Sequence, residues 1–172
     1  MALSVRPSLV EDAPTIAHIR IATWRSAYRG IVPAAVLDNL SVDRATGFFE
    51  GCIADPDSPN RLLSGFADDT LRGFALWNPH SEAPEYTAEL RALYVLDQWQ
   101  RSGLGRALLD AARRAMAAAG YRDMAVFTLE ANRPARTFYE RLGGEPLPYT
   151  RLFEVDGAVL PEVGYRFALQ PL

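Results

Sequence analysis

The chain contains no lysine: all 18 of its basic residues are arginine. A phosphate-binding loop of the Gly-x-x-x-x-Gly-Lys type is therefore excluded, and no internal lysine amine is open to modification. Cysteine is almost absent as well, Cys52 being the only one, which excludes a disulfide framework and a cysteine metal site. The two histidines, His18 and His80, stand in no ligand pattern, so they read as solvent-facing or satisfied polar side chains and no metal is expected. Nothing approaches the ~18 uninterrupted apolar residues of a membrane span, and Met1–Pro7 lacks the apolar core of a signal peptide. A net charge of −3 with no basic stripe interleaved with aromatics argues against a nucleic-acid surface. What remains is a soluble, cytoplasmic globular protein with no membrane or nucleic-acid partner.

The 172 residues, 49% hydrophobic and 23% charged, suffice for one core, and no linker divides them, so residues 1–172 are expected to form a single domain. Leu3 to Arg6 is a short strand. Ser8-Leu9-Val10-Glu11 has the spacing of a capping box, opening a helix that the period of Val10, Ala13, Ile16, Ala17, Arg20 and Trp24 carries to about Tyr28. A second helical stretch from about Pro33 to Ile53, broken near Ser41, closes before the turn signal at Asp55 to Asn60. Arg61 to Ala67 and Leu71 to Asn78 read as a hairpin, Pro79 to Pro84 as a loop and Tyr86 to Leu96 as a long strand. A helix over Gly103 to Ala119, a strand buried on both faces over Arg122 to Leu129 and a short helix over Asn132 to Leu142 follow. Two tail strands, about Pro148 to Val155 and Gly164 to Leu169, complete the order β-αα-β-β-β-α-β-α-β-β. The central βαβ unit makes strands 4 and 5 parallel while the hairpins require antiparallel neighbours. The fold class is thus α/β, with a mixed sheet of about six to seven strands flanked by helices.

Between strand 4 and the next helix lies Gln100-Arg101-Ser102-Gly103-Leu104-Gly105. Two glycines one residue apart let successive N–H groups and a helix N-terminus converge on an anion. A dinucleotide fingerprint would need a third glycine where Leu108 stands, so that reading fails.

Tyr94-Val95, then Gln100-Arg101-Ser102-Gly103-Leu104-Gly105 and Ala107-Leu108-Leu109, resemble the acyl-CoA motif Q/R-x-x-G-x-G/A of the GNAT superfamily of N-acetyltransferases. Asn132-Arg133-Pro134-Ala135-Arg136-Thr137-Phe138-Tyr139-Glu140-Arg141-Leu142-Gly143 resembles that family's second signature, N-x-x-A-x-x-F-Y-x-x-x-G. The likeness spans almost the whole chain and implies the GNAT fold, acetyl-CoA as co-substrate without a metal, and direct transfer of acetyl to a small-molecule, peptide or protein amine. It implies further that the amides of Arg101 to Arg106 hold the CoA pyrophosphate, with Arg101 and Arg106 as cationic partners, and that Leu93, Tyr94 and Val95 bond the pantetheine arm. Strand 4 would then bulge and part from strand 5, although it has no glycine to announce this.

Several residues carry two readings. Asn132 is a helix cap, and by the resemblance also a CoA contact. Tyr139 is either packed on the sheet or the acid that protonates the departing sulfur, since a phenol stays protonated at neutral pH. Glu89 is either the base or a salt-bridged carboxylate; strict alternation puts it on one face with Arg91, Leu93 and Val95. Trp24, Tyr28 and Arg29, around the turn after the first helix, and Trp77, at the exit of strand 3, are core residues or acceptor contacts. A non-catalytic acyl-CoA module of the same fold and a nucleotide-binding α/β protein are the rival readings. The terminal strand pair offers an edge for homodimerisation.

Overall fold

The computed structural model describes residues 1–80 and 87–169. Seven strands, β1 (Leu3–Pro7), β2 (Arg61–Ala67), β3 (Thr70–Pro79), β4 (Thr87–Val95), β5 (Asp123–Leu129), β6 (Glu145–Val155) and β7 (Ala158–Ala168), form one sheet. Its spatial order is β1-β2-β3-β4-β5-β7-β6. Only β4 and β5 run parallel; every other neighbouring pair is antiparallel. Helices α1 (Ala13–Ala27), α2 (Ala34–Asp38) and α3 (Val42–Ala54) follow β1, α4 (Leu104–Ala118) joins β4 to β5, and α5 (Arg133–Arg141) follows β5. The expected strand start at Tyr86, and the expected loop at positions 81–84, lie outside the described residues.

Each face of the sheet receives one set of helices. Leu104, Leu108, Leu109, Ala112 and Met116 of α4 are buried with Ala88, Leu90, Met124 and Val126 of the central strands, each large side chain contributing about 1.5–3 kcal/mol by leaving water. Gly65 and Gly73 lie under Leu108, which a Cβ on either would meet at 3.0 and 3.1 Å. Those two residues let α4 seat close to the sheet. On the other face Ala13, Ile16, Ala17 and Ile19 of α1 pack with Phe49, Phe74 and Leu76.

Three local expectations are corrected. The Ser8–Glu11 capping box does not form: the Asp12 carboxylate accepts the Leu9 N–H at 2.8 Å, and the Ser8 hydroxyl is spent on Ser64 at 2.8 Å. The last two strands are longer than their composition signals, β6 beginning at Glu145 and β7 at Ala158, because they pair along the Asp156-Gly157 turn. Strict alternation along β4 fails too. Leu76 faces Ala92 but Trp77 faces Leu90, so Arg91 is the extra residue of a β-bulge. Past it the parity flips: Leu93 and Val95 join Leu90 on the α4 face, while Ala92 and Tyr94 face α1. Glu89, opposite Asn78, therefore shares a face with Tyr94 and not with Leu93 or Val95.

Candidate active site

The parallel pair at the centre of the sheet is short. Thr87 to Leu90 align with Asp123 to Val126, and beyond the bulge the strands part, so among the described residues the edge of β4 from Arg91 to Val95 has no partner on the β5 side. Backbone donors and acceptors left unpaired inside a protein need partners. An extended chain laid between the strands would supply them, bringing Leu93, Tyr94 and Val95 against it.

At the open end of this gap the chain turns into α4. Arg101 and Gly103 both have positive φ, 59° and 94°, and the left-handed Gly103 is the N-cap. The Ser102 hydroxyl donates to the Trp99 carbonyl at 2.6 Å and accepts the Leu104 N–H at 3.3 Å, which fixes the turn without consuming its other amides. The first N–H groups of a helix have no intrahelical acceptor, and together with the helix dipole they favour an anion. Gln100 reaches back to the Val95 and Asp97 oxygens at 3.4 and 3.2 Å, tying loop to strand. Arg106 is exposed and lies 3.7 Å from Asp110. Gly105 has no positive φ, and a Cβ there would come no closer than 3.4 Å to the Phe138 ring, so its position leaves room for a methyl group.

Tyrosines from three elements gather beside the gap. Tyr139 of α5 is buried between Phe138, Tyr165 and Phe167. Burial, and then the neighbouring Tyr94, push its phenol above the ordinary tyrosine value. Tyr28 is raised as well, by burial first and then by Tyr94, Tyr139 and Glu162 around it. Trp24 donates its indole N–H to the Tyr94 hydroxyl at 2.9 Å and stands edge-on to Tyr28 and Phe153. Tyr165 is raised too, by burial first, and its phenol donates to Glu140 at 2.7 Å.

Glu89 sits at the closed end of the gap and is 1% exposed. Arg151 Nη2 donates to its Oε1 at 2.8 Å, Arg91 Nη1 to its Oε2 at 3.5 Å, and His80 Nδ1 lies 2.8 Å from Oε2. Arg151 continues to Glu162 at 2.6 Å and lies over the Phe127 ring at 3.8 Å. Its two carboxylate bonds hold that guanidinium above the ordinary arginine value against the opposing effect of burial.

The remaining expected residues divide. The Asn132 side chain accepts the Ala135 N–H at 3.3 Å, which makes it the α5 cap. Trp77 is buried in the α4-side cluster against Tyr121, on the sheet face away from Glu89, so the fold does not bring it to the other site residues. Arg29 is exposed at the turn after α1. His80, expected to be solvent-facing or satisfied, is instead buried beside Glu89. Arg151, Phe127 and Glu162 escaped the sequence reading because only the β5-β7-β6 register brings them to Glu89. A cleft of about 350 Å³ opens at the end of β5, lined in part by Ile31, Leu129, Arg133 and Pro161. Among the described residues no group of three or more His, Cys, Asp or Glu is placed to hold a metal, and no helix is long and apolar enough to cross a membrane.

With this geometry in view, the model of the Acetyltransferase (GNAT) family matches residues 19–144. The uncharacterized N-acetyltransferase YuaI of Bacillus subtilis is 31% identical over 163 residues, covering 94% of this chain and 91% of the relative. An aminoglycoside N(6')-acetyltransferase type 1 of Stenotrophomonas maltophilia is 32% identical over 124 residues, 72% of this chain and 74% of that protein. Among solved structures, the PaiA N-acetyltransferase of Thermoplasma acidophilum in complex with coenzyme A superposes with a TM-score of 0.75 at 21% identity, covering 97% of this chain and all of that one.

Proposed function

This chain belongs to the GNAT acetyltransferase family and is an acyltransferase, and from that premise we propose that it moves an acetyl group from acetyl-CoA to a primary amine by direct attack, in the cytoplasm. The observation that carries the proposal is the parting of β4 from β5 after four paired residues, with the gap opening onto the amide turn of residues 101–106. Acetyl-CoA supplies an activated thioester. The rest falls to the chain. Amides of the turn bind the pyrophosphate, each favourable charge–dipole contact contributing about 0.3–1 kcal/mol, with Arg101 and Arg106 as counter-charges. The free edge of β4 at Leu93, Tyr94 and Val95 bonds the extended arm, and an N–H of this stretch polarises the thioester carbonyl. Glu89, directly or through water, takes the proton from the amine, and the Tyr139 phenol, neutral at working pH as any phenol is, gives one to the departing sulfur. Asn132 adds a contact to the CoA arm in this reading, while Trp24, Tyr28 and Arg29 border the acceptor's approach.

The test is a thermal-shift comparison of CoA, ATP and NAD, followed by thiol release from acetyl-CoA with an amine panel. Kanamycin belongs in the panel because one relative is named for aminoglycosides. Stabilisation by CoA alone, with amine-dependent thiol release, is the expected result. Stabilisation by ATP or NAD and none by CoA would overturn the donor. CoA binding with no release from any amine would leave a CoA-binding module. The edge strand β6 exposes Leu152, and we assign homodimerisation to that edge, to be checked by sedimentation.

A further inference from the structure

Lone carboxylates are rarely fully buried unless paired, and Glu89 has a partner on every side. Arg151 of β6 holds Oε1; Arg91 of β4 and His80, just past β3, converge on Oε2. Glu162 of β7 takes the other side of Arg151, and the Phe127 ring of β5 lies 5.9 Å from the imidazole. Arginine keeps its charge at any working pH.

Its environment is unusual. The His80 side chain is 2% exposed, and neither ring nitrogen makes a hydrogen bond of good geometry among the described residues. An unmade buried hydrogen bond is costly, and Glu89 Oε2 lies 2.8 Å from Nδ1. Such a contact between an imidazole nitrogen and a carboxylate is attractive only when the proton sits on that nitrogen.

We propose that His80 is a positioning residue for the transfer reaction: Glu89 holds it as the Nδ1–H tautomer, and that N–H, opposite Arg151, fixes the orientation in which the Glu89 carboxylate meets the amine's proton. The inference rests on the base role given to Glu89 above, and one arm of its test is independent of turnover. The chain has two histidines, so imidazole ¹⁵N spectra carry two sets of signals. His18, on the exposed side of α1 and facing the Pro14 carbonyl at 2.8 Å, is the internal reference. In the folded wild type His80 should show the Nδ1–H pattern, and Glu89→Gln should change its tautomer balance while leaving His18 alone. Identical His80 spectra in the two proteins would overturn the proposal.

The second arm uses acetyl-CoA with the best amine of the panel. His80→Ala should lower kcat by about 10–100-fold, part of the ~10²–10⁴-fold that a positioned base contributes, with little change in the KM for acetyl-CoA. His80→Asn, whose amide keeps a donor near Nδ1, should recover most of kcat. Full activity in His80→Ala at an unchanged melting temperature, or no recovery in a folded His80→Asn, would overturn it. A wild type that is not stabilised by CoA, but retains the spectral coupling of His80 to Glu89, would separate failure of the functional reading from failure of this one.

Discussion

Tyr139 tests the chemistry at a single oxygen atom. Its ring is core, packed among Phe138, Tyr165 and Phe167, so Tyr139→Phe keeps the packing and removes only the hydroxyl. If that hydroxyl is the acid, kcat should fall about 100-fold or more while the CoA affinity changes by less than ~2-fold; equal turnover in a variant of unchanged melting temperature would remove the role. The residue was legible in the sequence because it lies in the N-x-x-A-x-x-F-Y pattern. Glu89 was legible only as a carboxylate near the right place. Its partners were not, because Arg151 is 62 residues away and reaches it only through a strand register that no local pattern announces. Trp77 shows the opposite limit: an aromatic at a strand exit reads equally as wall or core, and the Arg91 bulge settles which face its neighbours take.

At the scale of one element, the start of α4 separates two glycines that look alike in the motif. Gly103 has a φ of 94°, and the nearest atom to an added Cβ is 3.5 Å away, so its requirement is backbone conformation and not room. Gly105 is inside the helix, with the Phe138 ring 3.4 Å from its would-be Cβ. Gly103→Ala should therefore cost on the order of 1–2 kcal/mol and, by shifting the amides, weaken CoA about 10-fold or more. Gly105→Ala should bind CoA within ~3-fold of the wild type, since alanine is the better helix former and the contact is only slightly tight. Calorimetric titration of both variants with CoA decides this, and equal losses would show that space, not conformation, governs the turn. Element order and type were largely readable, because periodicity and turn residues agree along the chain. The bulge was not: β4 has no glycine to mark it, and it shows only as the register shift across Leu76 and Trp77.

For the whole molecule, the pH dependence of stability has an identifiable contributor at the join of β1, β2 and α1. Asp12 is buried, which alone would raise it, but the Arg6 guanidinium at 2.7 and 2.9 Å, the Leu9 N–H and the Ser64 hydroxyl outweigh burial and hold its carboxyl below the usual range. A depressed carboxyl stabilises the fold above its unfolded value, about 3.9, and that stabilisation is lost as pH falls through the lower folded value. Asp12→Asn should thus lower the melting temperature at pH 7 by roughly 2–4 °C for each kcal/mol lost, and the gap to the wild type should narrow below about pH 4. A constant gap from pH 7 to pH 3 would mean that the charge of Asp12 does not matter.

The β6–β7 hairpin has one more consequence. Its Phe153, Val155 and Leu160 pack with Trp24, Tyr28 and Ile31 of the α1–α2 region, so under the proposed function the acceptor's approach would be walled by the two ends of the chain. The amide turn, the free strand edge and Tyr139 all come from its middle. Under the proposed function, what is acetylated and what donates the acetyl would be written in separate stretches of sequence, and the recipient would be exchanged by rewriting the ends with the donor machinery inherited intact.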